Sequence, residues 1–225
     1  MKKEDAIRFD ADVLNELKVL VSRGEGQQLE FKRRVASEEK IAREIIALAN
    51  SSGGTLLVGI GDDKTIPGLK YPEDESIAIQ RAVEHIQPAI TLHESLISIG
   101  SNRSVLQYVI EPSVNGPHFL VNEDGVREYF VRAGDKSIRA SREMKEIMKR
   151  RKRPRDIRFS YGEHEHLLMQ YLATNKFITL DAFMNASGLK KFYASNKLIL
   201  LVLANVLRIT PNERGDQYTL AFTKF

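Results

Sequence analysis

Nine lysines and arginines stand against three acids between Arg142 and Arg158, a local charge of +6 in a chain whose total is +4, so the remaining residues sum to −2. A run this dense and this poor in aromatics suits phosphates better than base stacking, although a solvated linker has the same look. Lys149, Arg150, Arg151, Lys152 and Arg153 are its candidate phosphate ligands. A second set, Lys190, Lys191, Tyr193, Asn196 and Lys197, falls in the first turns of an expected helix, where helix-reading domains meet base edges and phosphates. Arg33, Arg34, Arg132, Lys136, Ser137 and Arg139 form a looser third group near strand ends, within reach of a sugar-phosphate backbone.

The acids give a plainer picture. Glu30 and Lys32 lie two apart on the polar face of an alternating stretch, where a salt bridge is available, and Asp62-Asp63 suits a tight turn. Asn50-Ser51-Ser52-Gly53-Gly54 reads as a phosphate-approaching loop or as a helix C-cap whose glycines allow close packing. It follows a helix, precedes a strand and lacks Gly-Lys-Ser/Thr, which favours the second reading. His164 and His166 face apart on a helix, and His85, His93 and His118 are isolated, so no histidine metal pair is expected. The absence of cysteine excludes disulfides and thiolate metal sites and favours the cytoplasm. The longest apolar run, Leu198 to Ala204, is too short for a membrane span, and the start has no apolar core for a signal peptide.

Elements that position these residues follow from periodicity. Helical spacing at Val13, Leu14, Leu17, Leu20 and Val21 ends at Gly24. Leu29 and Phe31 alternate with Glu30 and Lys32 in a half-buried strand, and Ser37 opens a helix whose apolar stripe runs to Ala49. Thr55 to Ile60 is apolar enough for an internal strand. A third helix covers Glu73 to Gln87, and alternating runs at Ile90–Ile99, Val105–Glu111, His118–Asn122 and Glu128–Arg132 predict a meander. Ser141 caps a helix reaching Arg150. Beyond the basic run come helices at Glu163–Ala173 and Leu180–Ala186, a third from Leu189 to about Leu207, then strand, turn and strand to Phe222, the order of a winged helix. Leu198 to Leu203 is apolar all round, which implies burial in a core or an interface.

Four stretches resemble the Schlafen AlbA-like family. They are Gly24 to Lys32, with its Glu-Phe-Lys; Ile45 to Ile60, carrying Ala-Asn-Ser-Ser-Gly-Gly; the Asp62-Asp63 to Gly68 turn; and Tyr129 to Ser141. The resemblance implies a mixed sheet with packed helices and nucleic-acid binding, most often in bacterial transcriptional regulators with a C-terminal winged helix. RNA-cleaving relatives use three carboxylates, which by motif position look like Glu25, Glu30 and one of Asp62 or Asp63, with Lys32 beside them. Mg²⁺ or Mn²⁺, held by Glu25, Glu30 and Asp62, is implied only for that alternative; otherwise no cofactor is expected, and 225 residues leave no room for the ATP-binding domain of longer relatives.

The expected fold class is therefore α+β: an N-terminal helix over 1–23, a Schlafen AlbA-like domain over 24–148, a basic linker over 149–160 and a winged-helix-like domain over 161–225. The expected function is nucleic-acid binding, DNA before RNA, by a homodimeric regulator without a membrane partner. A metal-dependent endoribonuclease and a protein-interaction or dimerisation module are the alternatives.

Overall fold

The computed structural model describes residues 11–100, 102–114, 116–151, 157 and 159–222. These divide into two compact units: the described residues up to Ser113 with His118–Ser137, and Val114–Pro117 with Ile138 onward. In chain order the elements are α1 (Ala11–Arg23), β1 (Leu29–Lys32), α2 (Glu38–Asn50), β2 (Gly54–Val58), α3 (Pro72–Glu84), β3 (His93–Gly100), β4 (Arg103–Ile110), β5 (Leu120–Val121), β6 (Arg127–Glu128), β7 (Phe130–Ala133), β8 (Lys136–Arg139), α4 (Arg142–Arg151), α5 (Glu163–Thr174), α6 (Leu180–Ser187), α7 (Lys191–Leu203), β9 (Leu207–Thr210) and β10 (Gln217–Leu220).

The first unit is built on a mixed sheet in the order β1-β2-β4-β3, with β1 parallel to β2 through α2 and the other pairs antiparallel. Ser37 caps α2 by accepting from the Lys40 amide, as its type predicts. Ile41, Ile45, Ile46 and Leu48 of α2 pack on Leu56, Val58, Leu106 and Tyr108. Leu17 and Val21 of α1 cover Leu29, Phe31, Leu57 and Val105 in a separate cluster. Because side chains alternate along a strand, β1 gives Leu29 and Phe31 to the α1 cluster and turns Glu30 toward α2. The face read as polar is thus interior at Glu30, which is 3% exposed, and half-buried at Lys32.

The expected meander is corrected. Only β3 and β4 join the main sheet as a hairpin; β5 and β6 pair with each other, and β7 lies against α2. The Asn50 side chain supplies part of the reason, donating to the carbonyls of His118 at 2.9 Å and Phe130 at 3.0 Å and accepting from the His118 amide at 2.8 Å. Those backbone groups are satisfied without a ladder. Asn50→Ala strands them, and thermal or urea unfolding is expected to show a loss of about 1–3 kcal/mol; a loss below experimental error counts against this role.

The second unit begins earlier than the sequence suggested, since α4 belongs to it. Ile147 is fully buried in a cluster with Leu168, Phe183, Leu198, Ile199 and Val202. Helix α7 touches α4 as well as α6 and β9, and this accounts for its nearly all-round apolar half. Ser141 accepts from the Met144 amide at 2.9 Å, the expected cap of α4. Thr179 caps α6, and Gly188 ends it in the left-handed conformation at φ 69°. β9 and β10 form an antiparallel hairpin, with Ile178 bridging to Tyr218 on its other side.

Candidate functional site

Three of the four motif stretches, all but the Asp62–Gly68 turn, meet at one buried cation. Arg132, at 0% exposure, donates from Nη1 to Glu30 Oε2 at 2.7 Å, Glu44 Oε2 at 3.1 Å and Ser137 Oγ at 3.0 Å, and from Nη2 to the Gly26 carbonyl at 2.6 Å. Its own amide donates to Ser51 Oγ at 2.9 Å. Glu30 Oε1 is taken by Lys32, whose Nζ also lies 3.9 Å from Glu44 Oε1. Two carboxylates thus face two cations, the balance that a charge removed from water requires. Gln27 closes the same seam, reaching the Arg132 carbonyl and accepting from the Gly134 amide at 3.2 Å.

Two sequence assignments change with this geometry. Arg132 has no surface to offer a phosphate, and Glu30 is held in an interior network, while its partner Lys32 stays half-buried. The Asn50–Gly54 segment follows the structural reading: Ser51 caps α2, and the Gly53 amide returns to the Leu48 carbonyl at 2.9 Å. Its glycines make room for the neighbouring chain. A Cβ on Gly54 would lie 2.5 Å from the Gln28 carbonyl oxygen.

The candidate acids are partly gathered. Glu25 Oε1 accepts from the Phe31 amide at 2.9 Å. Burial of the carboxyl pushes its pKa up; the Phe31 amide opposes this, Glu30 and Asp62 add to it, and Lys32 draws it down. Asp62 is an exposed residue. Asp63 is otherwise engaged, accepting from the Thr65 hydroxyl at 2.6 Å and amide at 3.1 Å, and these bonds hold its carboxyl below the usual range. Among the described residues no three His, Asp or Glu side chains are placed to hold a metal ion. With both Glu30 oxygens bonded to cations, this donor set does not fit a divalent cation.

Basic residues of the first unit, Arg33 and Arg34, are exposed, as are Lys136 and Arg139 on β8. In the second unit Lys149, Arg150 and Arg151 are exposed on the last turn of α4, because Met144 and Ile147 take the inward positions. Lys152 and Arg153 lie outside the described residues. Lys190 and Lys191 are exposed at the start of α7 and form no ion pair among the described residues. Asn196 is half-buried. Lys197 turns inward and pairs with Glu165; burial works to raise the Glu165 carboxyl, but the bonds from Lys197 and the Gly162 amide outweigh it and leave its pKa low.

Sequence reasoning counted Arg142 in the basic run without giving it a separate role, and it missed Phe192. The Arg142 guanidinium sits 5.5 Å from the Phe192 ring centroid, and Nη1 reaches Ser195 Oγ at 3.3 Å. Ser195, fully buried, in turn donates to Glu143 Oε1 at 2.5 Å. A consecutive Phe-Tyr directly after two lysines was the available signal, since core helices seldom place both rings on their polar face.

Residues 25–141 match the family described as Schlafen, AlbA_2. Among solved structures the chain is similar to the DIP2311 protein from Corynebacterium diphtheriae, at 15% identity and a TM-score of 0.43, over 92% of this chain and 38% of that one. The chain thus spans well under half the length of that protein's chain. No curated protein matches it.

Proposed function

The chain belongs to the Schlafen, AlbA_2 family, and from that membership we propose that it is a nucleic-acid-binding protein, a homodimeric DNA-binding transcriptional regulator whose second unit is a winged-helix-like reader. One observation carries the assignment to that unit: Lys190 and Lys191 open α7 exposed and without acidic partners among the described residues, on a helix whose remainder is largely core. Three helices followed by a hairpin support the winged-helix reading. The exposed cations at the end of α4 add phosphate contacts within the same unit.

Native and denaturing gels of labelled duplex DNA and tRNA, each run with Mn²⁺ or EDTA, test the proposal. Shifted, intact bands are the expected result. Mn²⁺-dependent fragments that vanish in Glu30→Ala would replace it with a nuclease. In a salt titration, Lys190→Ala with Lys191→Ala is expected to make the slope of log K against log salt shallower by about 2, as two lost phosphate contacts require. An unchanged slope would move the interface elsewhere.

A further inference from the structure

We propose that Phe192 and Tyr193, with Arg142, Lys190 and Lys191, form a stacking site for unpaired nucleotides on the second unit. The inference rests on the nucleic-acid-binding reading above and adds to its ligands strands with exposed base faces.

Phe192 is 57% and Tyr193 58% exposed, although burial of each ring would be favourable. Their centroids are 5.6 Å apart at 83° between planes, so the two rings make one patch with faces in two directions. Arg142 holds its guanidinium over Phe192 while Ser195 accepts from it, which fixes a positive charge at the edge of the patch. The Ser195 hydroxyl is itself directed by Glu143, so this tether is anchored in the core. Lys190 and Lys191 precede the rings with no acidic partner among the described residues.

Exposed ring faces beside the cations Arg142, Lys190 and Lys191 match a polyanion that also carries flat apolar surfaces. Base faces are such surfaces, but in a duplex each is covered by its neighbours and only the edges reach the grooves. Ring faces gain most where bases are unstacked, and stacking of this kind tolerates any base. A second copy of this chain would bring the same cations to the contact and meet repulsion.

The test compares binding of a labelled oligothymidylate with that of a GC-rich duplex of equal length, by fluorescence anisotropy, for the wild type, Phe192→Ala, Tyr193→Ala and the ring-preserving Tyr193→Phe. Each alanine variant is expected to weaken single-strand binding about tenfold with its salt slope unchanged, duplex binding within about twofold, and Tyr193→Phe close to wild type. Both rings are exposed, so unfolding curves should coincide with wild type; a variant that unfolds early is replaced by the corresponding Leu substitution. Equal losses on both ligands, or none, overturn the stacking site while leaving nucleic-acid binding in place. A wild type that binds duplex alone does the same. A wild type that binds neither ligand overturns both readings, and a change in sedimentation of the alanine variants without a change in binding would make the patch a self-association surface instead.

Discussion

Arg132→Met is expected to destabilise the protein by about 3–5 kcal/mol, read as a shift in the denaturation midpoint with little change in slope. The side chain it removes is fully buried and answers Glu30 and Glu44 together. Without it Glu30, itself 3% exposed, keeps a single cation, Lys32, and the Gly26 carbonyl and Ser137 hydroxyl lose a donor. Breaking a buried pair costs more than the pair contributed, because the remaining charge cannot return to water. Removing that charge as well should recover part of the loss, so Glu30→Gln combined with Arg132→Met is expected to cost less than the two single changes added, by about 0.5–3 kcal/mol. Strict additivity would sink the coupling. The same variant separates structure from recognition: at a temperature where it is folded, it should bind nucleic acid as wild type does, whereas an arginine that touched phosphate would flatten the salt dependence by about one unit of slope.

This network explains why the first unit was easier to read than its site. Local signals behaved locally. Ser37 and Ser141 cap the helices that their spacing announces, and the unbroken apolar run after Gly54 lies inside the sheet. Alternation in β1 correctly separated Leu29 and Phe31 from Glu30 and Lys32, but periodicity cannot say what covers the second face. The answer lies about a hundred residues away, in Arg132, and an ion pair at that separation leaves no mark on spacing. The meander failed for a related reason. Strand-like runs were read as a ladder, yet Asn50 satisfies the Phe130 and His118 backbone from a helix end. In the second unit the apolar half of α7 signalled burial, while α4, highly charged and assigned to the neighbouring domain and linker, turned out to cover part of it through Ile147. The exposed lysines and Tyr193 were found by their place in the first turns of the helix; Phe192 beside them was passed over because aromatic residues in a helix are usually core.

Gly53→Ala should be nearly as damaging as Arg132→Met, with an expected loss of about 2–5 kcal/mol built from two independent causes. Its backbone is left-handed, at φ 69°, where a Cβ costs about 1–2 kcal/mol. An added Cβ would also stand 2.6 Å from the Ile110 carbonyl oxygen and 2.8 Å from Pro112 Cδ. Ile110 is the last residue of β4 and is paired with Gly54, so the clash falls on a sheet strand that cannot move without its ladder. Overpacking against such a neighbour costs roughly a further 1–3 kcal/mol. A phosphate-cradling loop predicts another outcome, because there the glycine is needed by the ligand and the unliganded protein would lose at most the left-handed strain. Unfolding of the free protein therefore decides between the two roles. A loss confined to about 1 kcal/mol, with nucleic-acid affinity falling at least tenfold, would return the Asn50–Gly54 turn to the binding surface; a larger loss with affinity preserved in the folded fraction would keep it as the joint on which β2 and β4 close.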